Sequence, residues 1–203
     1  MRKSLSGNVL MLALCLFGFG CSEESGEAEN GSVSSDGGIA VFDESAAIAR
    51  GQSILAPFKK NLQAALMDGM GQGPEHAIQV CQLKAPAIAS EISTDSFQVG
   101  RTSHRLRNLS NTPASWMQPL LDRAVASGTN AVPMAVSLPD GGAGYVEPIF
   151  IKPLCLGCHG SEVPESIVAR LDELYPADNA RGFSEGEFRG LFWVKFESAP
   201  MAE

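Results

Sequence analysis

The sequence predicts an α+β fold, with helices in its first half and a mainly antiparallel sheet drawn from its second half. Two observations carry this. Apolar residues recur at helical spacing between residues 44 and 88. From residue 132 to 151 two strand-like runs flank the turn Pro139-Asp140-Gly141-Gly142. No internal repeat breaks this order, so one globular domain over residues 41–197 is expected.

The elements follow in chain order. Asp43, Glu44 and Ser45 can cap a helix that runs through Ile48, Ile54, Leu55, Phe58, Leu62, Leu66 and Met67 until Met70-Gly71-Gln72-Gly73 stops it. A second helix opens at Pro74-Glu75, a first-turn position that tolerates proline. Ala77, Cys81, Ala85 and Ile88 share one face of it, which turns Cys81 inward, and Pro86 is expected to kink or end its last turn. Phe97 to Gly100 reads as a strand, followed by the basic stretch from Arg101 to Arg107. Asn111-Thr112-Pro113 is expected to start a helix through Trp116, Leu120, Leu121 and Ala124. Val132 to Leu138 and Gly144 to Ile151 form a hairpin, with Val132, Met134 and Val136 on one face. Pro164 to Leu174 is a helix, and Arg189 to Phe196 a closing strand.

The N-terminus reads as an export signal over residues 1–20. Arg2 and Lys3 precede an apolar stretch from Val9 to Phe19, too short for a standard membrane span. It leads into Gly18-Phe19-Gly20-Cys21, which resembles a lipobox with Gly18 where Leu is usual. Lipidation of Cys21 is expected, and plain secretion is the alternative. Residues 21–40, rich in Ser, Glu, Gly, Asn and Asp, read as a disordered tether, and residues 198–203 as a tail. The domain is therefore expected to face the periplasm, held to a membrane by the lipid alone, and Ser22 favours the outer membrane. Removing the signal takes away Arg2 and Lys3 and no acid, moving the formal charge from −8 to −10. A body this acidic repels nucleic acid.

Of the five cysteines, Cys15 leaves with the signal and Cys21 takes the lipid. Cys155 and Cys158 form the run Cys155-Leu156-Gly157-Cys158-His159, and Cys81 stands alone. Two thiols at this spacing can add to the two vinyl groups of one haem, placing the adjoining His159 beneath the iron as axial ligand. One covalent c-type haem is the expected cofactor. A thiol–disulfide centre normally heads a long helix, which Gly160 and Pro164 cut short here. A zinc site needs a fourth ligand and shows no second tight pair. The run lies late in the chain, whereas small electron-transfer cytochromes carry it early and supply a later Met. The only later Met here is Met201, close to the end. Four-helix cytochromes carry the run on a long final helix, and strands flank it here.

On the residues alone an inward Cys81 is either a core thiol or the second iron ligand. His76 lies on a different side of the same helix, His104 sits among arginines, and Met134 reads as core; each is a further candidate. Arg101, Arg107 and, less favourably placed, Arg105 offer forks that match haem propionates. The alternative for these arginines is a solvated loop. Trp116, Phe150 and Trp193 are candidate haem walls or core residues.

Ordered pieces along the chain resemble a known family of c-haem-carrying, PAS-like domains, the DUF3365 or Tll0287-like family. These are Ala77-Ile78 with Cys81, Gly100-Arg101-Thr102-Ser103, Arg107-Asn108, Asn111, Trp116 and Glu147-Pro148-Ile149. The C-x-x-C-H run with Gly160, then Tyr175-Pro176, Asp178, Ala180, Gly182, Gly186 and Arg189-Gly190 complete the pattern. The resemblance covers residues 41–196. It implies a PAS-like antiparallel sheet flanked by N-terminal helices, with haem held against it and Cys81 as the second axial ligand. The aromatic usual just before the Pro-Ile pair is replaced by Glu147, with Phe150 after Ile149, so a local difference in the haem wall is expected.

The expected task is sensing redox state or a small ligand, or passing single electrons at low potential, because thiolate ligation stabilises ferric iron. The chain shows no kinase or cyclase output segment, so a redox or signalling partner is expected. No catalytic constellation beyond the haem marks it as an enzyme. The rival is a small peroxidase-like haem enzyme, which needs an open iron face that Cys81 ligation would block.

Overall fold

Asp43 caps the first helix with its side chain, accepting from the Ala46 N–H at 3.0 Å. This opens α1, Glu44–Gly71, in a computed structural model that describes residues 42–198. The export segment, Cys21, the tether and Met201 lie outside the described residues. Leu55 and Phe58 are buried on one face of α1, while Pro57 between them faces solvent. Burying those two side chains contributes roughly 1.5–3 kcal/mol each, which offsets the ~3 kcal/mol that an interior proline removes. The helix therefore runs through Pro57.

α2, Pro74–Ile92, returns antiparallel beside α1. Pro86 neither ends nor confines it, and the helix continues to Ile92. Packing explains this difference from the expectation: Ala85 and Ile88 are buried on the inner face while Pro86 is exposed. No helix among the described residues is long and apolar enough to cross a membrane.

The sheet has four antiparallel strands: β1, Phe97–Thr102; β2, Met134–Ser137; β3, Ala143–Phe150; and β4, Phe188–Phe196. Their order is β1-β4-β3-β2, so the first and last strands in sequence pair directly. One face packs on α1 and the C-terminal half of α2 through Leu55, Phe58, Ile88, Val99, Tyr145 and Val194. The fit requires Gly51, because a Cβ there would lie 2.2 Å from the Tyr145 ring. The opposite face packs on α3, Gln118–Ser127, through Leu120, Leu121, Val146 and Leu191.

α3 begins later than its expected start at Asn111. Leu109–Asn111 forms a separate 3₁₀ turn, and Trp116 sits in a turn before the helix. Pro119 in the first turn fixes the start, where its missing N–H costs nothing. Val132 likewise precedes β2 and is 61% exposed, while Met134 is buried as expected.

A break in the β3–β4 register positions the candidate site. Ile149 pairs with Gly190 and Phe150 with Phe188, leaving Arg189 as the extra residue of a β-bulge. Gly190 has φ +158°, and a Cβ there would lie 2.3 Å from the Thr102 carbonyl oxygen. Two short helices follow β3: α4, Leu156–His159, and α5, Glu165–Leu174, whose Ile167 and Leu171 pack on Ile78 of α2.

Candidate haem site

The C-x-x-C-H run forms the end of a 3₁₀ turn, Pro153–Cys155, and the whole of the four-residue α4. Cys155 and Cys158 are free thiols, each part-buried. A thiol–disulfide centre at the head of a long helix does not match so short an element. Among the described residues no group of three or more His, Cys, Asp and Glu side chains is arranged to hold a metal ion, as zinc would require.

His159 is oriented by the neighbouring segment. Its Nδ1 lies 2.6 Å from the Ala180 carbonyl oxygen. A carbonyl only accepts, so Nδ1 carries the proton and Nε2 holds a free lone pair. Burial pushes the imidazole down to about 3, Arg107 and Arg189 push the same way, and the Ala180 bond opposes them. The ring is therefore neutral and able to donate to iron. The run is also tied by Phe183 N–H to His159 O at 2.9 Å and Gly182 N–H to Gly160 O at 2.8 Å.

Cys81 lies part-buried on α2, and no hydrogen bond to its sulfur is found among the described residues. Burial raises its thiol, while Arg101 and Arg107 pull it down. Cys81 in turn raises both Cys158 and Tyr175. Cys158 and Tyr175 pack with Ile78, one turn before Cys81 on α2, and Arg107 bonds the Cys158 carbonyl, so α2, α4 and the segment after α5 meet at one locus.

The arginines there differ. Arg101 has no side-chain hydrogen bond or ion pair among the described residues, and burial lowers its guanidinium. Arg107 is engaged: Nη2 donates to Cys158 O at 2.6 Å and Nε to Asp178 Oδ1 at 3.2 Å. Arg105 lies 4.0 Å over the Phe183 ring and donates to the Asn179 carbonyl at 3.1 Å. Sequence reasoning assigned no role to Arg189, which the bulge brings near His159. Its Nη1 donates to Ser103 Oγ at 2.7 Å, and burial lowers it to about 10. No periodicity signals a bulge, so only the Arg-Gly pair itself was visible.

Trp116, Phe150 and Trp193, candidate haem walls or core residues, pack against the α3 cluster on the sheet face opposite α1. Trp116 lies over Gly144, whose hydrogen leaves room for the ring. Ile78, Leu171 and Tyr175 belong to the cluster against which Cys158 packs. Of the other ligand candidates, His104 is exposed and stacks on Phe188 at 5.6 Å, and Met134 is buried with Leu120 and Val146. His76 is part-buried early in α2, away from the face that carries Cys81. Glu147, at the expected local difference, accepts from Lys59 at 2.6 Å and from Tyr145 OH at 3.2 Å.

The donor set fits haem: two free thiols at vinyl spacing, a neutral imidazole with a fixed tautomer, a third free thiol on α2 and a guanidinium with no side-chain partner among the described residues. A family model described as Tll0287-like matches residues 39–196. The chain belongs to the Tll0287-like family. Among solved structures this Tll0287-like domain is similar to the cyanobacterial heme-protein Tll0287, with a TM-score of 0.53 and 20% identity. The likeness covers 74% of this chain and 94% of that one, and it is a likeness of fold. No curated protein matches the chain.

Proposed function

We propose that this Tll0287-like domain carries one haem covalently on Cys155 and Cys158, with His159 and Cys81 as axial ligands, and acts as a low-potential redox sensor or electron carrier. The observation that carries the reading is the His159–Ala180 bond. It fixes the tautomer and leaves Nε2 free as a donor, on the same short run that carries the free thiols Cys155 and Cys158. The structural relative is itself described as a heme-protein, which supports the same cofactor.

Bound there, haem supplies one-electron chemistry at its iron. His159 donates through Nε2. Cys81 would bind as thiolate, which favours ferric iron and would leave no open position such as a peroxidase needs. Arg101, with no side-chain partner among the described residues, is the first candidate for a haem propionate, and Arg107 offers only Nη1 for the same purpose. Lipidation at Cys21 would hold the domain outside the cytoplasm, where c-type haem is attached.

The test is the mass of protein matured with cytochrome c assembly machinery. It should exceed the apo-chain by one haem that survives acid–acetone extraction. Extractable haem, or none, would overturn the covalent reading. Unchanged fractionation of a Cys21→Ser variant would overturn the lipid anchor.

A further inference from the structure

The Ala180 carbonyl, which orients His159, is itself held by a second layer of residues. Asp178 has a fully buried side chain, and its Oδ1 accepts the Ala180 N–H at 2.8 Å. That local turn fixes the direction in which residue 180 presents its carbonyl. Oδ1 also accepts from Arg107 Nε at 3.2 Å, while Arg107 Nη2 spans to Cys158 O at 2.6 Å and Ala180 O at 3.4 Å. Arg181 approaches Asp178 Oδ2 with its Nε at 3.3 Å and holds Asp172 with Nη2 at 2.9 Å. One guanidinium therefore ties the peptide just before His159 to the segment that accepts from its ring.

We propose that Arg107 and Asp178 are positioning residues for the iron ligand, holding the Ala180 carbonyl so that it fixes the ring plane and donor strength of His159. The proposal rests on reading His159 as the haem ligand. Its physical basis is that an imidazole donating Nδ1–H to a fixed acceptor is a stronger and better-oriented metal ligand than one hydrogen-bonded to water. The fork geometry matters as much as the charge. Lysine at position 107 keeps the charge, but as a single point it cannot hold Cys158 O and Asp178 together.

Arg107→Lys is therefore the informative variant, with Asp178→Asn beside it. In both, exchange of the His159 Nδ1 proton should accelerate about tenfold, the change that corresponds to losing a net hydrogen bond of about 1.4 kcal/mol. Both holo-variants should also show broadened electron-paramagnetic-resonance g-values and a raised midpoint potential, because a looser imidazole donates less to ferric iron. A purely electrostatic role predicts no potential shift in Arg107→Lys, since charge is kept. A propionate-binding role for Arg107 predicts unchanged Nδ1–H exchange. Either result overturns the proposal.

Arg170→Lys is the control. Arg170 bonds to Glu173 and Gln79 rather than to Ala180 or Cys158, so exchange of the His159 proton should stay as in the parent protein. Acceleration equal to that of Arg107→Lys would mean general loosening and would also overturn the assignment. The Nδ1–H bond exists in the chain without haem, so the exchange measurement on the apo-protein tests the positioning even if haem attachment fails. Failure of the haem reading itself shows separately, in the mass of the parent protein.

Discussion

His159 and Cys81, the two proposed iron ligands, sit on segments held in opposite ways. His159 sits on a four-residue helix that has little stability of its own, yet its ring is fixed by Ala180 and its backbone is tied to Phe183. Cys81 sits on a long helix packed between α1 and α5, yet its sulfur has no hydrogen bond among the described residues. A weak element thus carries a fixed candidate donor, and a strong element carries one that no hydrogen bond among the described residues holds. The strength of the His159 bond is set by a local network, whereas that of Cys81 is set by burial and the charges of Arg101 and Arg107. If both bind iron as proposed, a change in iron charge acts on the charge balance around Cys81, so redox-linked change is expected on that side.

The largest expected effects test that asymmetry directly. Cys81→Ala should leave the haem attached, turn ferric iron high-spin and raise the midpoint potential, because a ferric-stabilising thiolate is lost. An unchanged electron-paramagnetic-resonance spectrum would make Cys81 a core residue. On the other side, His159→Ala should lose both attachment and colour, since the imidazole and the two thiols act as one unit. If His159→Ala matured with normal haem content and spin state while Cys81→Ala did not, the asymmetry would be reversed.

Acid should weaken the His159 side of the apo-protein. The folded imidazole lies at about 3 against an ordinary 6.5. The unfolded chain therefore binds the proton first, so this contribution is complete above the ordinary value and is lost as pH falls toward the folded one. Between pH 7 and 5 the loss should be about 2 kcal/mol, read from denaturant unfolding. His159→Gln keeps a donor for Ala180 and does not titrate, so its stability should change less over that interval by about the same amount. Parallel curves would mean that the ring is not buried as described.

The bulge on β4 is the next lever. Gly190→Ala would put a Cβ 2.3 Å from the Thr102 carbonyl at φ +158°, so the strand must shift or straighten. The expected cost is about 2 kcal/mol or more, together with displacement of Arg189 from the site. Unfolding curves matching the parent would show that the register break is not needed.

These devices differ in how far the sequence exposes them. The C-x-x-C-H run, α1 with its Asp43 cap and the β2–β3 hairpin were all legible, because each is local: a spacing, a cap and a turn. Ala180 as acceptor was not legible, since a backbone carbonyl has no sequence signature. The Asp178-x-Ala180 spacing shows only in hindsight as the turn that aims it. Trp116 and Phe150 are ambiguous in sequence for a related reason. Aromatic character says that a side chain is buried, and only the β3–β4 register says on which face of the sheet. Pro86 and Pro57 misled or passed because helix packing outweighed a local penalty that the sequence states plainly.

The smallest expected effect asks how far the Cys81 side extends along the sheet. Glu147 stands across the ladder from Phe192, which in turn pairs with Arg101. Its carboxylate is held by Lys59, whose side chain is 35% exposed, and by the buried Tyr145 hydroxyl. An ion pair this accessible contributes at most about 1 kcal/mol. Lys59→Met should therefore lower stability by no more than that, and Tyr145 should keep Glu147 in place. The absorption spectrum and midpoint potential should not move, because Phe192 stands between Glu147 and Arg101 in the register. A potential shift in Lys59→Met comparable to that of Cys81→Ala would instead show that Glu147 reaches the cofactor. The Cys81 side would then be a charged surface running from α1 to β1, and its balance would include a carboxylate as well as two arginines.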